Sequence, residues 1–467
     1  MILLAFPNNY IQKEFYNNPK LIFFNNGDFL VYDIKKSQRI KIIVPIVSSY
    51  DNLKISSIRN MLNWWNPIWT RWVSKSYNYE HYRIENILII NKIINFLNIY
   101  NVEKIIFHTA IPHHIDSMSM SIASEILNIK QIYLYSNVID GRLLPIELKL
   151  QNFERKFIKY NLTNIKYEIL LDEFISNKLA GNLPKSNTKI TDIKKSFFIS
   201  VIKIIYTHLK KYLFFNKYNT NFFKTYNTFD TIQILSQQKK YLQYYKKNKL
   251  SLIDTEKFLN LPEFKIIIFA QYQPEATSFP EGFEYPSHLE IILKLEQLGY
   301  KGLIGYKEHP ASWLYYDNII NETNVGIYRD KNYLKNIINN KCYVLDENFN
   351  IKLNKIYKYL PLTMTGTIAI ERSLLGLQTI ITGEPWFKGL PGTIHINDLN
   401  LILINNFIYE SCPKIAQEAK YFITNILNYN TITNIFNIGS SLSSKNKLSN
   451  KDLQLFFEEY KFLINKI

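Results

Sequence analysis

Leu303-Ile304-Gly305-Tyr306 runs straight into Lys307-Glu308-His309-Pro310. Leu360-Pro361-Leu362-Thr363-Met364 runs into Thr365-Gly366-Thr367, and a short helical pattern carrying Glu371 follows. Thr379-Ile380-Ile381-Thr382 runs into Gly383-Glu384-Pro385-Trp386-Phe387-Lys388-Gly389-Leu390-Pro391-Gly392. Each is a short apolar run ended by a polar cluster. In a parallel sheet all three clusters emerge at the carboxyl ends of strands, where open α/β sheets bind ligands.

Upstream of this stretch the same alternation continues. Lys265-Ile266-Ile267-Ile268-Phe269-Ala270 reads as a strand, residues 271–282 as a long loop, and residues 287–298 as a helix stopped by Gly299. Residues 302–306 then form the strand that delivers Lys307 and His309. Near the start of the chain, residues 3–6, 29–32 and 40–47 read as short strands rich in β-branched and aromatic residues. The spacing of Ile84, Ile87, Leu88, Ile90, Ile94 and Leu97 predicts a helix over 81–99. A strand over 104–108, a loop over 109–114, a helix over 116–127 with Asp116 at its N-cap, and a strand over 131–135 complete a strand–helix–strand unit.

The strand signal fades between about 145 and 260. Between Lys185 and Leu250 there are 14 lysines and no arginine against Asp192 and Asp230, a net +12 of the chain's formal +17. Such a field draws anionic surfaces: nucleic acid, acidic polysaccharide or the cytoplasmic leaflet. Residues 194–211 and 214–226 interleave Lys with Phe, Tyr and Ile. Their functional reading is a basic, aromatic-rich helix on an anionic membrane. Their plainer reading is a set of ordinary helices packed on the N-terminal domain with solvated lysines.

A chain of 467 residues accommodates two domains, and 47% hydrophobic residues exclude a disordered protein. Cys342 and Cys412 make neither a disulfide framework nor a metal spacing, as expected for a reducing compartment. The opening apolar run is too short for a signal peptide, and no stretch approaches the length of a bilayer span. The expected location is therefore cytoplasmic. The expected fold class is α/β, with an N-terminal Rossmann-like acceptor domain over 1–150 and a basic, mainly helical segment over 151–260 associated with it. A C-terminal Rossmann-like nucleotide-sugar domain over 261–445 and a C-terminal helix over 446–467 follow. Two such halves facing a central cleft make the GT-B arrangement, which by itself does not fix a function.

Transfer of a sugar from a nucleotide requires that charge growing on the leaving phosphate be stabilised and that an acceptor hydroxyl be aligned beside a base. The metal-binding tripeptide Asp-x-Asp does not occur, so protein groups are expected to meet the charge, with no metal and no cofactor. Thr365, Gly366 and Thr367 offer hydroxyls and unpaired backbone N–H groups at a helix start, and Glu371 stands one turn on to accept from ribose hydroxyls. Simple N-capping with Glu371 on a solvated face is the plainer alternative. Lys307 and His309 supply positive charge in a loop stiffened by Pro310. Gln273 and Glu275 follow the first strand of this half, Glu275 as catalytic carboxylate, sugar ligand or turn cap. Trp386 with the flanking Gly389 and Gly392 forms a flexible wall beside the base or sugar, against core packing of Trp386, and Gly383 is a further donor-binding candidate. In the N-terminal half His113, His114 and Asp116 are the candidates for acceptor contact or general base. Three ligands within four residues suit zinc poorly.

These residues resemble a known family. Gln271-Tyr272-Gln273-Pro274-Glu275-Ala276-Thr277, Lys307-Glu308-His309-Pro310, Thr365-Gly366-Thr367 with Glu371, and Gly383-Glu384-Pro385-Trp386-Phe387 look like the bacterial capsule polysaccharide biosynthesis proteins, which include capsular Kdo transferases. The His-Pro element is also similar to that of bacterial polysialyltransferases. The likeness reaches Pro112-His113 and is strongest over 271–392. It implies a GT-B glycosyltransferase with a nucleotide-sugar donor, His309 at the nucleotide and the 365–367 loop at its phosphate. The donors known in the family are CMP-activated acids such as Kdo or sialic acid. A growing capsule or lipopolysaccharide-type glycan or glycolipid is the acceptor it implies, at the inner face of the cytoplasmic membrane.

Two other readings stand beside this one. A nucleotide-sugar epimerase would share the fold but needs paired acids around a sugar carbon. A non-enzymatic protein would use the basic segment to bind RNA or to scaffold a membrane complex. Nucleic acid is not expected as a partner, because no RNA-binding signature is present.

Overall fold

The computed structural model describes residues 1–7, 9–25, 28–42, 79–108, 115–139, 141–150, 153–159, 167–179, 198–199, 201–206, 209, 228–271, 281–282, 284–285, 287–309, 331–346, 359–400, 404, 411–433 and 450–466. The chain divides into two compact units. One comprises Met1–Ile165, Phe215–Lys224 and Ile426–Ile467, and the other Lys166–Phe214 and Thr225–Asn425.

In the first unit, β1 (Ile2–Ala5), helix α1 (Asn9–Glu14), β2 (Leu21–Asn25), β3 (Asp28–Asp33), β4 (Gln38–Ile42), α2 (Tyr79–Ile99), β5 (Lys104–Phe107), α3 (Ile115–Ile126), β6 (Lys130–Ser136), β7 (Leu143–Lys149) and β8 (Glu154–Phe157) follow one another. The sheet order is β4-β3-β2-β1-β5-β6-β7-β8. Its centre, β2-β1-β5-β6, is parallel, and both margins are antiparallel. The central strands are continuous apolar runs because helices cover both faces, whereas β3 alternates and the edge strands β4 and β8 carry Arg39, Lys41, Glu154, Arg155 and Lys156. Behind β6, Ser121 of α3 bonds Tyr133 Oη at 2.5 Å, and Gln131 Nε2 donates to the Ser121 carbonyl at 3.2 Å, so the polar atoms of this buried layer are mutually satisfied.

Strands β7 and β8 correct the expectation that strand structure ends near residue 145. Pro145 stands inside β7, a place proline normally avoids. In an extended strand the N and C=O of one residue face the same side, and the Pro145 carbonyl accepts from Ile158 N at 3.1 Å, just past the end of β8. The missing N–H therefore faces the end of β8 and removes nothing from the β6–β7 ladder. Helix α3 begins at Ile115, so Asp116 lies within its first turn rather than at the N-cap.

The second unit holds α4 (Tyr167–Leu179), α5 (Thr228–Asn248), α6 (Leu252–Asn260), β9 (Lys265–Phe269), α7 (His288–Gln297), β10 (Leu303–Lys307), α8 (Lys331–Asn339), β11 (Cys342–Val344), β12 (Tyr359–Thr363), α9 (Ile368–Leu374), β13 (Thr379–Ile381) and β14 (Thr393–His395). All six strands are parallel, in the order β11-β10-β9-β12-β13-β14. The first strand in sequence lies at the centre, the next two build outward on one side and the last three on the other. This is the doubly wound order, with its switch point between β9 and β12. Helix α7 starts with a capping box between Ser287 and Glu290 and ends before Gly299, whose φ of 79° is the left-handed conformation of a helix stop.

Helix α10 (Pro413–Asn430) carries the chain back to the first unit, where Leu143 and Ile432 exchange backbone hydrogen bonds of 2.9 and 2.8 Å. Helix α11 (Asn450–Lys466) then packs Phe456, Tyr460, Leu463 and Ile464 against Leu4, Phe23, Ile106 and Ile132 of the first sheet. Lys104 Nζ donates to the Ile464 carbonyl at 3.1 Å, and Arg142 bonds Glu459 at 3.0 Å. His108 donates from Nδ1 to the Ala5 carbonyl at 2.9 Å and accepts the Tyr460 hydroxyl at Nε2 at 2.5 Å.

These units differ from the expected boundaries. The described helices between 151 and 260 belong to the second unit: Phe258 and Leu259 of α6 pack on Ile267, Leu345 and Tyr359, and Tyr245 of α5 donates to the Leu345 carbonyl at 2.6 Å. Residues 450–466 form a layer of the first unit rather than a separate terminal helix. In both cases apolar side chains find their partners far away in sequence, which periodicity does not report.

Candidate functional site

Because the second sheet is wholly parallel, every polar cluster that follows one of its strands emerges at one edge. Gln271 follows β9, Lys307 to His309 close β10, Asp346 follows β11, Thr363 to Thr367 close β12, Gly383 and Glu384 follow β13, and His395 ends β14. With about 4.8 Å between neighbouring strands, β10 and β12 stand about 10 Å apart with β9 between them.

At the switch point the Gln271 amide meets Thr363 Oγ1 at 2.8 Å. With its oxygen turned to that hydroxyl, it also accepts from the backbone N of Gly366 at 2.8 Å and of Thr365 at 3.2 Å. Gly366 N additionally lies 3.2 Å from Thr363 Oγ1. This corrects the expectation of unpaired N–H groups at Thr365 and Gly366. The adjacent strand brings Gln271 close enough to take them. Gly366 is required by the same packing, since a Cβ there would lie 2.5 Å from Thr363 Oγ1.

Thr367 does not cap α9 through its side chain; its hydroxyl donates to Glu371 Oε1 at 3.2 Å. Glu371 is buried, so its alternative as a solvated residue is excluded. Lys307 is buried at the end of β10, and half-buried His309 donates its backbone N–H to Glu308 Oε1 at 2.8 Å. Glu308 is itself fully buried and accepts the hydroxyls of Tyr241 from α5 and of Tyr306, the latter at 3.2 Å. The loop is thus anchored from below by a carboxylate. His288 of α7 accepts from Gln271 N at 3.2 Å through Nε2 and faces Tyr333 Oη at 3.0 Å through Nδ1, which fixes the backbone of Gln271 as well as its side chain.

Beyond β13, Gly383 lies against the segment around Glu281. A Cβ on Gly383 would come within 2.4 Å of the Glu281 carbonyl, and that carbonyl accepts from Glu384 N at 2.7 Å. Lys388 Nζ bonds the Glu384 carboxylate at 2.8 Å. Trp386 is buried edge-to-face on Phe387 at 5.5 Å, so it packs in this corner. Asn397 accepts the Tyr285 hydroxyl and donates to Glu284, each at 2.8 Å. His395 beside them is held below the ordinary histidine pKa, chiefly by burial, against the opposing pull of Glu384.

The structure therefore brings Lys307, His309, Thr365, Gly366, Thr367, Glu371, Gly383 and Trp386 to one sheet edge. His113, His114, Gln273, Glu275 and Pro310 lie outside the described residues, and Asp116 stands in the first turn of α3 in the other unit. Sequence reasoning passed over Gln271, Thr363, Glu308, Tyr241 and His395. Gln271 was within reach of the rule that selected Lys307, since it stands directly after an apolar strand. Tyr241 was not, being hidden in a lysine-rich helix. Among the described residues no group of three His, Cys, Asp or Glu could hold a metal ion, and no helix is long and apolar enough to cross a membrane.

No protein-family profile and no curated protein matches the chain. Among solved structures it is similar to KpsC of Thermosulfurimonas dismutans, a beta Kdo 2,7 transferase, at 9% identity over 83% of this chain and 98% of that one, with a TM-score of 0.30. It is similar to the UDP-N-acetylglucosamine 2-epimerase of Rickettsia bellii at 13% identity over 91% of this chain and 95% of that one, TM-score 0.22. To S. aureus MnaA, solved with UDP, it is similar at 10% identity over 100% of this chain and 97% of that one, TM-score 0.23.

Proposed function

We propose that the protein is a glycosyltransferase that moves a sugar from a nucleotide-sugar donor onto a growing capsule or lipopolysaccharide-type glycan. The observation that carries this reading is the β9–β12 switch point of a wholly parallel, doubly wound sheet. Gln271, Thr363 and Gly366 are locked together there, and Lys307 and His309 stand at the next strand end. A crevice outside such a switch point is the usual nucleotide site of this sheet type.

On this reading the acceptor hydroxyl oxygen bonds to the anomeric carbon as the bond from that carbon to the phosphate oxygen breaks. The electron pair leaves with the phosphate, and the hydroxyl proton passes to a base. Lys307 and His309 meet the charge on the phosphate, and the hydroxyls of Thr365 and Thr367 are close enough in sequence to assist. Glu371 serves the ribose. The base is drawn from His113, His114, Asp116 and Glu275. The absence of Asp-x-Asp supports a donor site without a divalent ion, and the family resemblance favours a CMP-activated ulosonic acid as donor.

Thermal melting with CMP, UDP, GDP and their sugars tests the assignment, since a ligand specific to the folded state raises its stability. One nucleotide class is expected to raise the melting temperature, and His309→Ala to remove most of the rise. Equal melting with all of them overturns the donor site. Release of free epimerised sugar without acceptor would instead assign an epimerase. Salt-sensitive RNA binding without nucleotide-sugar affinity would assign a non-enzymatic role.

A further inference from the structure

We propose that the helical residues around 198–209 form a docking surface for an anionic membrane, with their apolar face in the layer between headgroups and acyl chains. The observation is the direction in which the side chains point. Residues 198–199, 201–206 and 209 are helical. Phe198 is 69% exposed, Ile202 54%, Tyr206 65% and Leu209 55%, and Ile199 and Ile205 are exposed with them. These six recur at steps of three and four, so they share one flank of a helix. Ile204, on the opposite flank, is 1% exposed and faces the protein. The helix is thus anchored by one side and presents its larger apolar side outward.

A contiguous apolar flank of this kind marks an interaction surface. Its flanking charge selects the partner. Between residues 194 and 211 there are five lysines, Lys194, Lys195, Lys203, Lys210 and Lys211, and no Asp or Glu. Lys203 lies on the described helix and the other four adjoin it in sequence, and an apolar face in so basic a segment fits anionic headgroups above an acyl boundary. Four of the six exposed residues are aliphatic and offer no ring on which a nucleic-acid base stacks, which argues against a single-stranded RNA surface. A second copy would bring another segment with five lysines and no Asp or Glu against the first and be repelled. No described helix is long and apolar enough to cross a membrane, so this one lies along the surface. The inference is independent of the chemistry proposed for the second sheet.

The test is flotation of the full chain with vesicles of phosphatidylcholine alone and of an equimolar phosphatidylcholine–phosphatidylglycerol mixture. Binding to the mixed vesicles is expected, with little to the neutral ones. The double variant Ile202→Glu/Ile205→Glu should weaken it by about tenfold or more, since both apolar burial and charge attraction are lost. Both side chains are exposed, so its melting temperature should match wild type. If it does not, a Tyr206→Cys protein carrying a polarity-sensitive fluorophore decides the matter by a blue shift on mixed vesicles. Equal binding of wild type and double variant, or no blue shift, overturns the proposal. So does salt-sensitive RNA binding, or a dimer dissolved by the double variant, if no vesicle binding accompanies it.

Discussion

The side chain of Gln271 bridges the switch point of the second sheet to Thr363, 2.8 Å away on the neighbouring strand. Gln271 follows β9 and Thr363 ends β12, the strands from which the chain builds outward in opposite directions. The amide spans the place where a doubly wound sheet opens, and it holds the first turn after β12 by its N–H groups. The backbone geometry at this edge therefore depends on a neutral side chain.

Gln271→Glu keeps an acceptor for Thr363, Thr365 and Gly366 but adds a negative charge beside the proposed phosphate position. Folding should survive, while the nucleotide-dependent rise in melting temperature should shrink or vanish. Gln271→Ala should lower stability itself, by about 1–3 kcal/mol, because buried donors lose their acceptor. Urea unfolding with and without nucleotide separates the two effects.

Glu308 is a fully buried acceptor shared by two phenols and the His309 N–H. Tyr241→Phe removes one donor and should destabilise the protein by about 1–3 kcal/mol. It should also loosen His309 and reduce the nucleotide-induced melting shift in the same variant. An unchanged shift would mean that the Glu308 anchor does not control the loop.

Gly366→Ala places a methyl 2.5 Å from Thr363 Oγ1, and Gly383→Ala places one 2.4 Å from the Glu281 carbonyl. Each should cost about 1–3 kcal/mol as overpacking. The first clash is with a side-chain oxygen, so Thr363→Ala should relieve part of it and the double-mutant cycle should show coupling. The second is with backbone, and no single truncation should relieve it.

His108 is buried, and its pKa is depressed to about 4, with desolvation the largest cause and the hydrogen bond to Ala5 opposing it. The unfolded chain takes up the proton below about pH 6.5, while the folded state resists until about pH 4. Stability from this residue is therefore present above the unfolded pKa and lost as pH falls through that window. Between pH 7 and pH 5 the loss should be about 2 kcal/mol. His108→Asn should be less stable at pH 7 and flatter with pH, which denaturant midpoints at the two pH values will read.

The apolar runs of the second sheet made most of its strands legible, because a strand buried on both faces is written as Lys265-Ile266-Ile267-Ile268-Phe269 with little interruption. The edge on which Lys307 and Gly366 stand followed from the same runs. Illegible were contacts made by distant segments: Gln271 taking the N–H groups after β12, Tyr241 reaching Glu308, and Tyr460 reaching His108. Local periodicity states which face of an element is buried, not what buries it. Pro145 is tolerated inside β7 because the rule against proline in a ladder does not hold beside a strand end.

The return of residues 450–466 to the first sheet has a consequence for biosynthesis. On the ribosome, the strands around Leu4, Ile106 and Ile132 are made early, yet Phe456, Tyr460 and Leu463, which seal them, emerge long after, when helix α11 is made. The second unit, closed by residue 425, can finish while its older neighbour still shows a bare greasy face to the cell. Nascent chains of this protein should therefore engage holding chaperones through their earliest segment, and release them only when the final turns of helix arrive.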